Sequence, residues 1–388
     1  MSLGIYIQVP FCQTKCTYCN FHAGPAAAGL YSPYARAVAR EIAEHNALYH
    51  GANLAKAMGV PDQPVDTIYL GGGTPSLLDP ADLATILDSV RASFPCQLDE
   101  VTLEADPETI RPENAAAWRA AGVNRVSLGA QSFHDPELEA AGRMHRRGDI
   151  GRAMQVLRAA GFENISLDLI AGLPLQTDAT WRQSLEELLC LRPEHISIYL
   201  LEIDEGSRLG RESLAGGTRY HAAAIPSEDD MASFYELACE TLPRAGYEHY
   251  EISNWGLPSR HSRHNLKYWR REPYLGFGAG AHSFAGGLRW ANAHDPAAYL
   301  ASIQQGRLPV EQREDVTDRK ALQEEMFLGL RELSGVDLSR IERQYDVHWD
   351  GRIAELCAQG LLEREGPVVR LAPSRLALAN EVFVAFLD

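Results

Sequence analysis

Three cysteines near the start of the chain have a spacing typical of iron–sulfur chemistry. Cys12, Cys16 and Cys19 form a C-x3-C-x2-C pattern directly after the apolar run 4–9. Thiolates on one short loop bind the irons of a [4Fe–4S] cluster. Because no fourth cysteine lies nearby, one iron stays open for a small ligand, such as the amino and carboxylate groups of S-adenosylmethionine (SAM). A reduced cluster then passes one electron to the SAM sulfonium and releases a 5′-deoxyadenosyl radical, chemistry that belongs to the cofactors.

Two other interpretations of these cysteines compete with a cluster. His22 would complete a Cys3His ligand set, and a structural zinc ion takes four such ligands, so a zinc site stays open as an alternative. A disulfide framework is disfavoured, because the chain has seven cysteines in 388 residues and no secretory signal.

Composition indicates a cytoplasmic protein with no nucleic-acid partner. Hydrophobic residues make up 45% of the chain and charged residues 23%, as in ordinary globular proteins. No apolar run approaches the length of a membrane span, and the first predicted strand begins too early for a targeting peptide. The formal net charge of −16 opposes the binding of phosphates, which needs a basic surface.

Alternating β-branched runs and amphipathic stretches up to about residue 252 predict an α/β fold. The predicted strands are Gly4–Val9, Asp66–Leu70, Glu100–Leu103, Arg125–Leu128, Ile165–Leu169 and His195–Tyr199. The predicted helices are Pro33–Tyr49, Pro80–Phe94, Pro112–Ala121, Asp149–Ala160 and Asp178–Leu191. Successive β-then-α units imply parallel strands with crossover helices. We expect a partial (β/α)6 barrel, with a doubly wound open sheet as the alternative.

Polar or glycine-rich segments follow these strands. The cysteines come after the first strand, the glycine run 71–73 after the second, 104–107 after the third and 129–133 after the fourth. In barrels of this type the working groups gather at the carboxyl ends of the strands. We therefore expect one mouth built from all of these loops.

Several residues at this mouth suit a nucleoside ligand. Gly72 and Gly73 let the backbone approach a ligand closely. Glu104 offers a carboxylate to ribose hydroxyls, although it also suits the first turn of a helix. Arg143 could pair with an acidic ligand. Gln131 and Asp168 add further polar groups at the same edge.

A cationic and aromatic stretch lies between residues 260 and 284. Five cations fall between Arg260 and Arg271, and His264, Tyr268 and Trp269 are interleaved with them. Aromatic faces, cations and a histidine suit a tetrapyrrole with propionates, such as heme. The alternative is that Tyr268 and Trp269 plug the barrel while the cations face solvent.

The last part of the chain predicts a small module that resembles a winged helix. Helices at 321–333, 338–345 and 353–359 precede a ribbon at 362–371 and a last helix at 373–387. Residues 311–388 hold 10 basic and 16 acidic side chains, so we expect a lid or docking module and no DNA contact. The expected division is 1–252 for the barrel, 253–308 for a connecting segment and 309–388 for the C-terminal module.

An ordered set of motifs along the whole chain resembles one branch of the radical SAM proteins, which contains anaerobic coproporphyrinogen III oxidases and heme chaperones. The motifs are YIQVPFC-x3-C-x-YCNF, GGGTPS, LEADP, GAQSF, DLIAGLP, HNLKYW and GAGAHSF. The resemblance implies a radical SAM barrel with a winged-helix-like C-terminal domain. It also implies a [4Fe–4S] cluster on Cys12, Cys16 and Cys19. The residues implied around SAM and the substrate are Tyr6, Gly72 and Glu104 on SAM, with Tyr18, Gly73, Thr74, Gln131, Arg143 and Asp168 in the adjoining space.

Within this branch, three features favour a heme chaperone. Phe21 stands where the oxidases have a further cysteine, Cys12 comes without their N-terminal extension, and His264–Trp269 is similar to a proposed heme-binding stretch of the chaperones. The implied partners are heme or porphyrin, an acceptor hemoprotein of membrane respiration and an electron donor for the cluster. The alternative is an oxygen-independent coproporphyrinogen III oxidase, which removes propionate carboxyl groups by radical chemistry.

Overall fold

The computed structural model describes residues 2–58 and 63–387. The strands are β1 (Leu3–Val9), β2 (Phe11–Cys12), β3 (Gly24–Pro25), β4 (Val65–Gly72), β5 (Cys96–Ala105), β6 (Arg125–Gln131), β7 (Ile165–Ala171), β8 (His195–Leu200), β9 (Glu248–Glu251), β10 (Asn254–Gly256), β11 (Tyr274–Phe277), β12 (His282–Ala285), β13 (Leu288–Asn292), β14 (Val310–Asp315), β15 (Val336–Asp337), β16 (Leu362–Glu365) and β17 (Val368–Leu371). The α-helices are α1 (Tyr31–Ala43), α2 (His45–Gly51), α3 (Pro80–Ser93), α4 (Pro112–Ala120), α5 (Asp135–Ala140), α6 (Arg147–Ala159), α7 (Asp178–Leu191), α8 (Arg208–Leu214), α9 (Glu228–Arg244), α10 (Arg263–Trp269), α11 (Pro296–Gln304), α12 (Asp318–Gly329), α13 (Leu338–Tyr345), α14 (Asp350–Ala358) and α15 (Ala379–Val384).

Six parallel strands form the centre of a twelve-stranded sheet. β1, β4, β5, β6, β7 and β8 lie side by side in the order of the sequence, with all neighbours parallel. A doubly wound sheet would reverse its strand order in the middle, and this one does not. The predicted succession of six β/α units is confirmed, as is the α/β fold class.

Local sequence explains why these units form. Along β1 the side chains of Ile5, Ile7 and Val9 are fully buried against the helices, while Tyr6 and Gln8 face the opposite side of the strand. At the start of α3, Pro80 occupies the first turn and the Asp79 carboxylate accepts a hydrogen bond from the backbone N–H of Ala81. Each strand therefore presents polar side chains to the sheet interior and apolar ones to the outer helices.

The segment 253–308, expected as a connection, contributes strands to both edges of the sheet. β10 pairs antiparallel with β8, and β11 pairs parallel with β1 on the far side. Between these strands, α10 lies under the amino ends of β4 and β5, where its residues contact Thr67 and Glu100. Every helix in the described ranges is too short or too polar to span a bilayer.

The C-terminal module has the element order of a winged helix. α12 leads into β15, α13, α14 and the ribbon β16–β17, and the three strands pair in the order β15–β17–β16. β15 is too short to be visible in the sequence pattern. The expected last helix is a 3-10 segment over Pro373–Leu378 followed by α15.

Element boundaries differ from the predictions where tertiary pairing extends or interrupts a pattern. The expected helix Pro33–Tyr49 is divided into α1 and α2 at Glu44. The predicted third strand, Glu100–Leu103, extends to Cys96–Ala105 because β4 and β6 pair along it. The sequence patterns also missed α5, α8 and the long helix α9.

Candidate functional site at the mouth of the sheet

The cysteine loop is held on two sides. β2 pairs with β3, which closes the loop at its base, and Thr17 N–H donates to the carbonyl of Ala141 at 2.9 Å. Leu209 N–H donates to the Thr17 carbonyl at 2.7 Å. These bonds fix the loop backbone while Cys12, Cys16 and Cys19 remain partly exposed as free thiols. The three cysteines therefore lie on one fixed loop at the carboxyl end of β1.

The thiols lie in surroundings that disfavour the charge of a bare thiolate. Burial raises the pKa of Cys12 to about 11, partly offset by a hydrogen bond with Thr74, and burial also raises the pKa of Cys19. Arg143 donates from Nη1 to the Cys16 sulfur at 3.4 Å. Thiolate ligands in such a site need cations to balance them, and bound iron supplies that charge.

Glycines after β4 allow the cysteine loop to lie directly on that strand. A Cβ added to Gly73 would stand 2.4 Å from the carbonyl oxygen of Phe11 and 2.9 Å from the Cys12 sulfur. Gly72 has a φ of +115°, and its added Cβ would meet the Gln8 side chain at 2.5 Å. Larger residues at these positions would push the loop away from the strand. Gln8 borders the site and was not among the predicted site residues.

Glu104 lies beside these glycines. Its carboxylate accepts hydrogen bonds from Tyr69 Oη at 2.8 Å and from Gly72 N–H at 3.0 Å. Burial raises its pKa to about 7, and the nearby charge of Asp168 adds to the shift. Tyr6 donates to Gln8 Oε1 at 2.8 Å within β1. The predicted SAM contacts Tyr6, Gly72 and Glu104 are thus clustered on β1, β4 and β5.

Asp106 links the remaining loops, although the sequence analysis did not select it. It accepts a hydrogen bond from Thr74 Oγ1 at 3.0 Å and pairs with Arg143, which also donates to the carbonyl of Gly129 at 3.0 Å. The buried Arg143 Nε has no hydrogen-bond partner among the described residues. The position of Asp106 in the LEADP segment at the end of β5 was the available indication. Asp106 and Arg143 therefore form a chain of polar contacts that joins the carboxyl ends of β4, β5 and β6 to Cys16.

Asp168 and Gln131 complete the far side of the mouth. Asp168 accepts hydrogen bonds from Ser127 Oγ at 3.0 Å and Ser166 Oγ at 3.2 Å, and burial raises its pKa. Gln131 has a φ of +64° next to a register shift between β6 and β7, which turns the chain at the end of β6. Tyr199, another residue not predicted, is exposed at the end of β8.

Tyr18 packs on a small apolar cluster beyond β7 and β8. This cluster contains Leu173, Leu201 and Leu209. Burial raises the pKa of Tyr18 well above its usual value, with a further contribution from Cys16. The side chain of Tyr18 therefore joins the cysteine loop to this second core.

His264 lies at the opposite end of the strands. Its Nδ1 bonds with Thr67 Oγ1 at 2.9 Å and its Nε2 with Tyr268 Oη at 2.9 Å, and the side chain is buried. Burial lowers the pKa of His264 to about 3. The His264 ring stacks on Tyr69 at 5.3 Å and on Tyr6 at 6.4 Å, below the cysteine loop. Ligation of a heme iron by His264 would require one of its two hydrogen bonds to break.

Several of the cations near His264 are paired with acidic side chains, although the side chains of Arg263 and Arg270 stay 59% and 51% exposed. Arg270 binds Glu332 at 2.7 Å, while Arg271 binds Glu324 at 3.0 Å. Both acidic partners belong to the region of α12, so this stretch anchors the C-terminal module to the barrel.

His22, which a zinc site would need, makes its ring contact with a residue outside the cysteine loop. The His22 ring stacks on His294, with the two ring centroids 4.0 Å apart. Phe21, at the position that separates this chain from the oxidases, is 65% exposed.

Comparison with known proteins gives matches along the entire chain. The model of the radical SAM superfamily matches residues 6–188. The heme chaperone HemW of Bacillus subtilis is 35% identical, over 98% of this chain and 98% of its own. HemW of Mycobacterium tuberculosis is 37% identical, over 98% of this chain and 93% of its own. Among solved structures, coproporphyrinogen III oxidase (HemN) from Escherichia coli superposes with a TM-score of 0.83 at 22% identity, over 99% of this chain and 90% of its own.

Proposed function

The chain belongs to the HemW family within the radical SAM superfamily, and on this premise we propose that it binds heme and delivers it to an acceptor hemoprotein. The observation that carries the proposal is the match with heme chaperones at 35% and 37% identity across nearly full length. The likeness to HemN, at 22% identity, shows the fold, and one fold hosts different activities.

The residues at the mouth fit the [4Fe–4S] cluster and SAM that the superfamily implies. Three partly exposed thiols stand on one loop with the Arg143 guanidinium against one of them. Gly72 and Gly73 let Gln8 and the cysteine loop lie directly against β4, where any Cβ would collide with them. We propose that Cys12, Cys16 and Cys19 hold the cluster. When bound, the cluster and SAM supply one-electron chemistry.

The protein's own residues would orient SAM. Glu104 would accept hydrogen bonds from the ribose hydroxyls, and Tyr6 and Gly72 would line the same side. Asp106 holds Arg143 in place, and Arg143 would balance the charge of the Cys16 thiolate. Thr74, Gln131 and Asp168 would border the adjoining space, with Tyr18 closing it from the cysteine loop.

Heme titration of anaerobically reconstituted protein tests the proposal. The expected result is a saturable change in the Soret absorbance at one heme per chain, and transfer of that heme to an apo-hemoprotein. A strictly linear, non-saturable change with the cluster verified present would overturn it. We propose a hemoprotein of membrane respiration as the acceptor and a cellular one-electron reductant as the donor for the cluster.

The oxidase alternative rests on the shared fold and on the acidic groups in the sheet interior, Glu104 and Asp168. Incubation with SAM, a reductant and coproporphyrinogen III distinguishes it. We expect an intact coproporphyrinogen pool. Protoporphyrinogen formed in step with 5′-deoxyadenosine would replace the chaperone proposal with the oxidase.

A further inference from the structure

Three histidines from distant parts of the sequence meet beside the cysteine loop. His22 follows Cys19 on the loop itself, His282 begins β12, and His294 lies between β13 and α11. The rings of His22 and His294 are stacked at 4.0 Å. Charge interactions with both of these rings contribute to a lowered pKa of His282, after the larger effect of burial. The three imidazoles therefore form one group, here called the histidine cluster.

The histidine cluster differs from the buried histidines of the barrel in its hydrogen bonds. His145 Nε2 bonds with the carbonyl of Ala130 at 3.0 Å, and His195 bonds with both Ser166 and Tyr250 at 2.8 Å. Those rings are structural. Within the described residues, no hydrogen bond engages a ring nitrogen of His22, His282 or His294. The Nδ1 atom of His294 is buried without a hydrogen-bond partner, as is Nδ1 of His145, but His145 keeps the bond of its Nε2.

The backbone makes room for this arrangement. Gly280 has a φ of +73°, and a Cβ placed there would stand 2.8 Å from Nδ1 of His294. The GAGAHSF segment thus passes close under the His294 ring, a feature of the sequence that the mouth does not use. His282 and His22 are exposed on the outer side.

The surroundings of the histidine cluster suit a flat apolar ligand that carries a metal and acidic groups. The Phe21 ring, 65% exposed, directly precedes His22. Lys15 donates from Nζ to the Phe21 carbonyl at 3.0 Å, which places a cation at the same edge. Heme combines these needs, since its iron takes imidazole ligands, its ring packs on apolar side chains and its propionates pair with cations.

We propose that Phe21, His22, His282 and His294 form the heme-docking surface, with His22 as the iron ligand. The inference rests on the proposed function and names its heme site. His22 is the favoured ligand because it is exposed, adjoins the Phe21 ring and is part of the loop that carries the cysteines. Heme held there would lie next to the cluster, so that loading of the cluster would order the heme ligand.

Heme titration of the full-length, cluster-loaded variant His22→Ala tests this assignment. We expect the heme affinity to fall at least tenfold and the Soret and EPR spectra of the ferric form to change, because the iron loses its imidazole. The matched control is His50→Ala, which removes an exposed histidine of α2 and should leave both unchanged. Iron and sulfide are measured in each sample, so that only cluster-loaded protein is compared.

A second variant shows whether a loss of heme binding in His22→Ala comes only from damage to the cysteine loop. His294→Ala lies outside that loop and removes the ring on which His22 stacks, so we expect weaker heme binding with an unchanged cluster. Wild-type affinity and spectra in both variants would overturn the docking surface while leaving the proposed function intact. Failure of the wild-type protein to bind heme would instead overturn the proposed function.

Discussion

The two ends of the parallel strands carry similar residue types but use them differently. At the amino ends, here called the floor, His264 and His195 have both ring nitrogens bonded to neighbouring side chains. At the mouth, Cys12 and Glu104 have pKa values raised by burial to about 11 and about 7. The two floor histidines have both ring nitrogens satisfied by the protein, whereas a bound ligand can offset the cost of burying the Cys12 thiolate and the Glu104 carboxylate at the mouth.

If heme docks at the histidine cluster as proposed, this difference explains why residue type alone pointed to the other end of the strands. His264, Tyr268 and Trp269 have the composition of a tetrapyrrole site, yet α10 places them under the floor. The histidine cluster comes from three separate segments, and only His282 lies in one of the motifs, GAGAHSF. We therefore predict that substitutions at the mouth weaken the binding of the cluster or SAM, while substitutions at the floor lower the free energy of unfolding.

Replacement of one cluster cysteine should have the largest effect at the mouth. In Cys16→Ala the loop loses one of its three thiolates, and we expect iron, sulfide and the visible cluster absorbance to disappear almost completely after reconstitution. Cys190→Ala, at an exposed cysteine of α7, is the matched control and should keep its cluster. A full cluster in Cys16→Ala would contradict the assignment of the loop.

Gly73→Ala should separate the cysteine loop from β4. Its Cβ would collide with the Phe11 carbonyl at 2.4 Å, and relief of such a contact costs about 1–3 kcal/mol. We expect SAM affinity, measured by calorimetry on cluster-loaded protein, to fall by up to about a hundredfold. Gly151→Ala in α6, where a Cβ meets nothing within 4 Å, serves as the control. Equal SAM affinities in the two variants would show that the close approach is not needed.

His264→Ala should affect the floor without affecting the mouth. The variant loses two buried hydrogen bonds and leaves a cavity, so we expect the free energy of unfolding in urea to fall by about 2–3 kcal/mol. Heme affinity and cluster content of the folded fraction should remain those of the wild type. If the variant has normal stability but no longer binds heme, His264 is a heme contact.

The smallest expected effect is a pH dependence of SAM binding. Glu104 accepts ribose hydroxyls as a carboxylate, and its pKa is about 7, so affinity should fall by about tenfold from pH 8 to pH 6. The pKa of Glu104 is 4.5 when the chain is unfolded and about 7 in the folded protein. Its contribution to folding stability is therefore largest below pH 4.5 and decreases as the pH rises to about 7. Glu104→Gln should flatten the SAM-binding profile, and an unchanged slope in that variant would assign it to another group.

Much of the fold could be predicted because its information is local. The strand β1, the glycine run after β4 and the polar segment after β5 each follow from a short window of sequence, and parallel strands bring their carboxyl ends together. The pairing of Arg271 with Glu324 and the stacking of His22 on His294 could not be predicted, since each joins distant segments whose approach depends on tertiary packing. The sequence also does not show which end of the strands α10 covers, because a helix with the same amphipathic pattern could pack at either end.

Delivery of heme is the central claim, and one transfer measurement tests it most directly. Heme-loaded, cluster-containing protein is mixed anaerobically with membranes from heme-depleted bacteria, and the reduced-minus-oxidised cytochrome spectrum of the washed membranes is followed in time. The account predicts that cytochrome spectra appear faster than with an equal amount of heme supplied on albumin. Heme that remains with the protein, or that reaches the membranes no faster than from albumin, would contradict it.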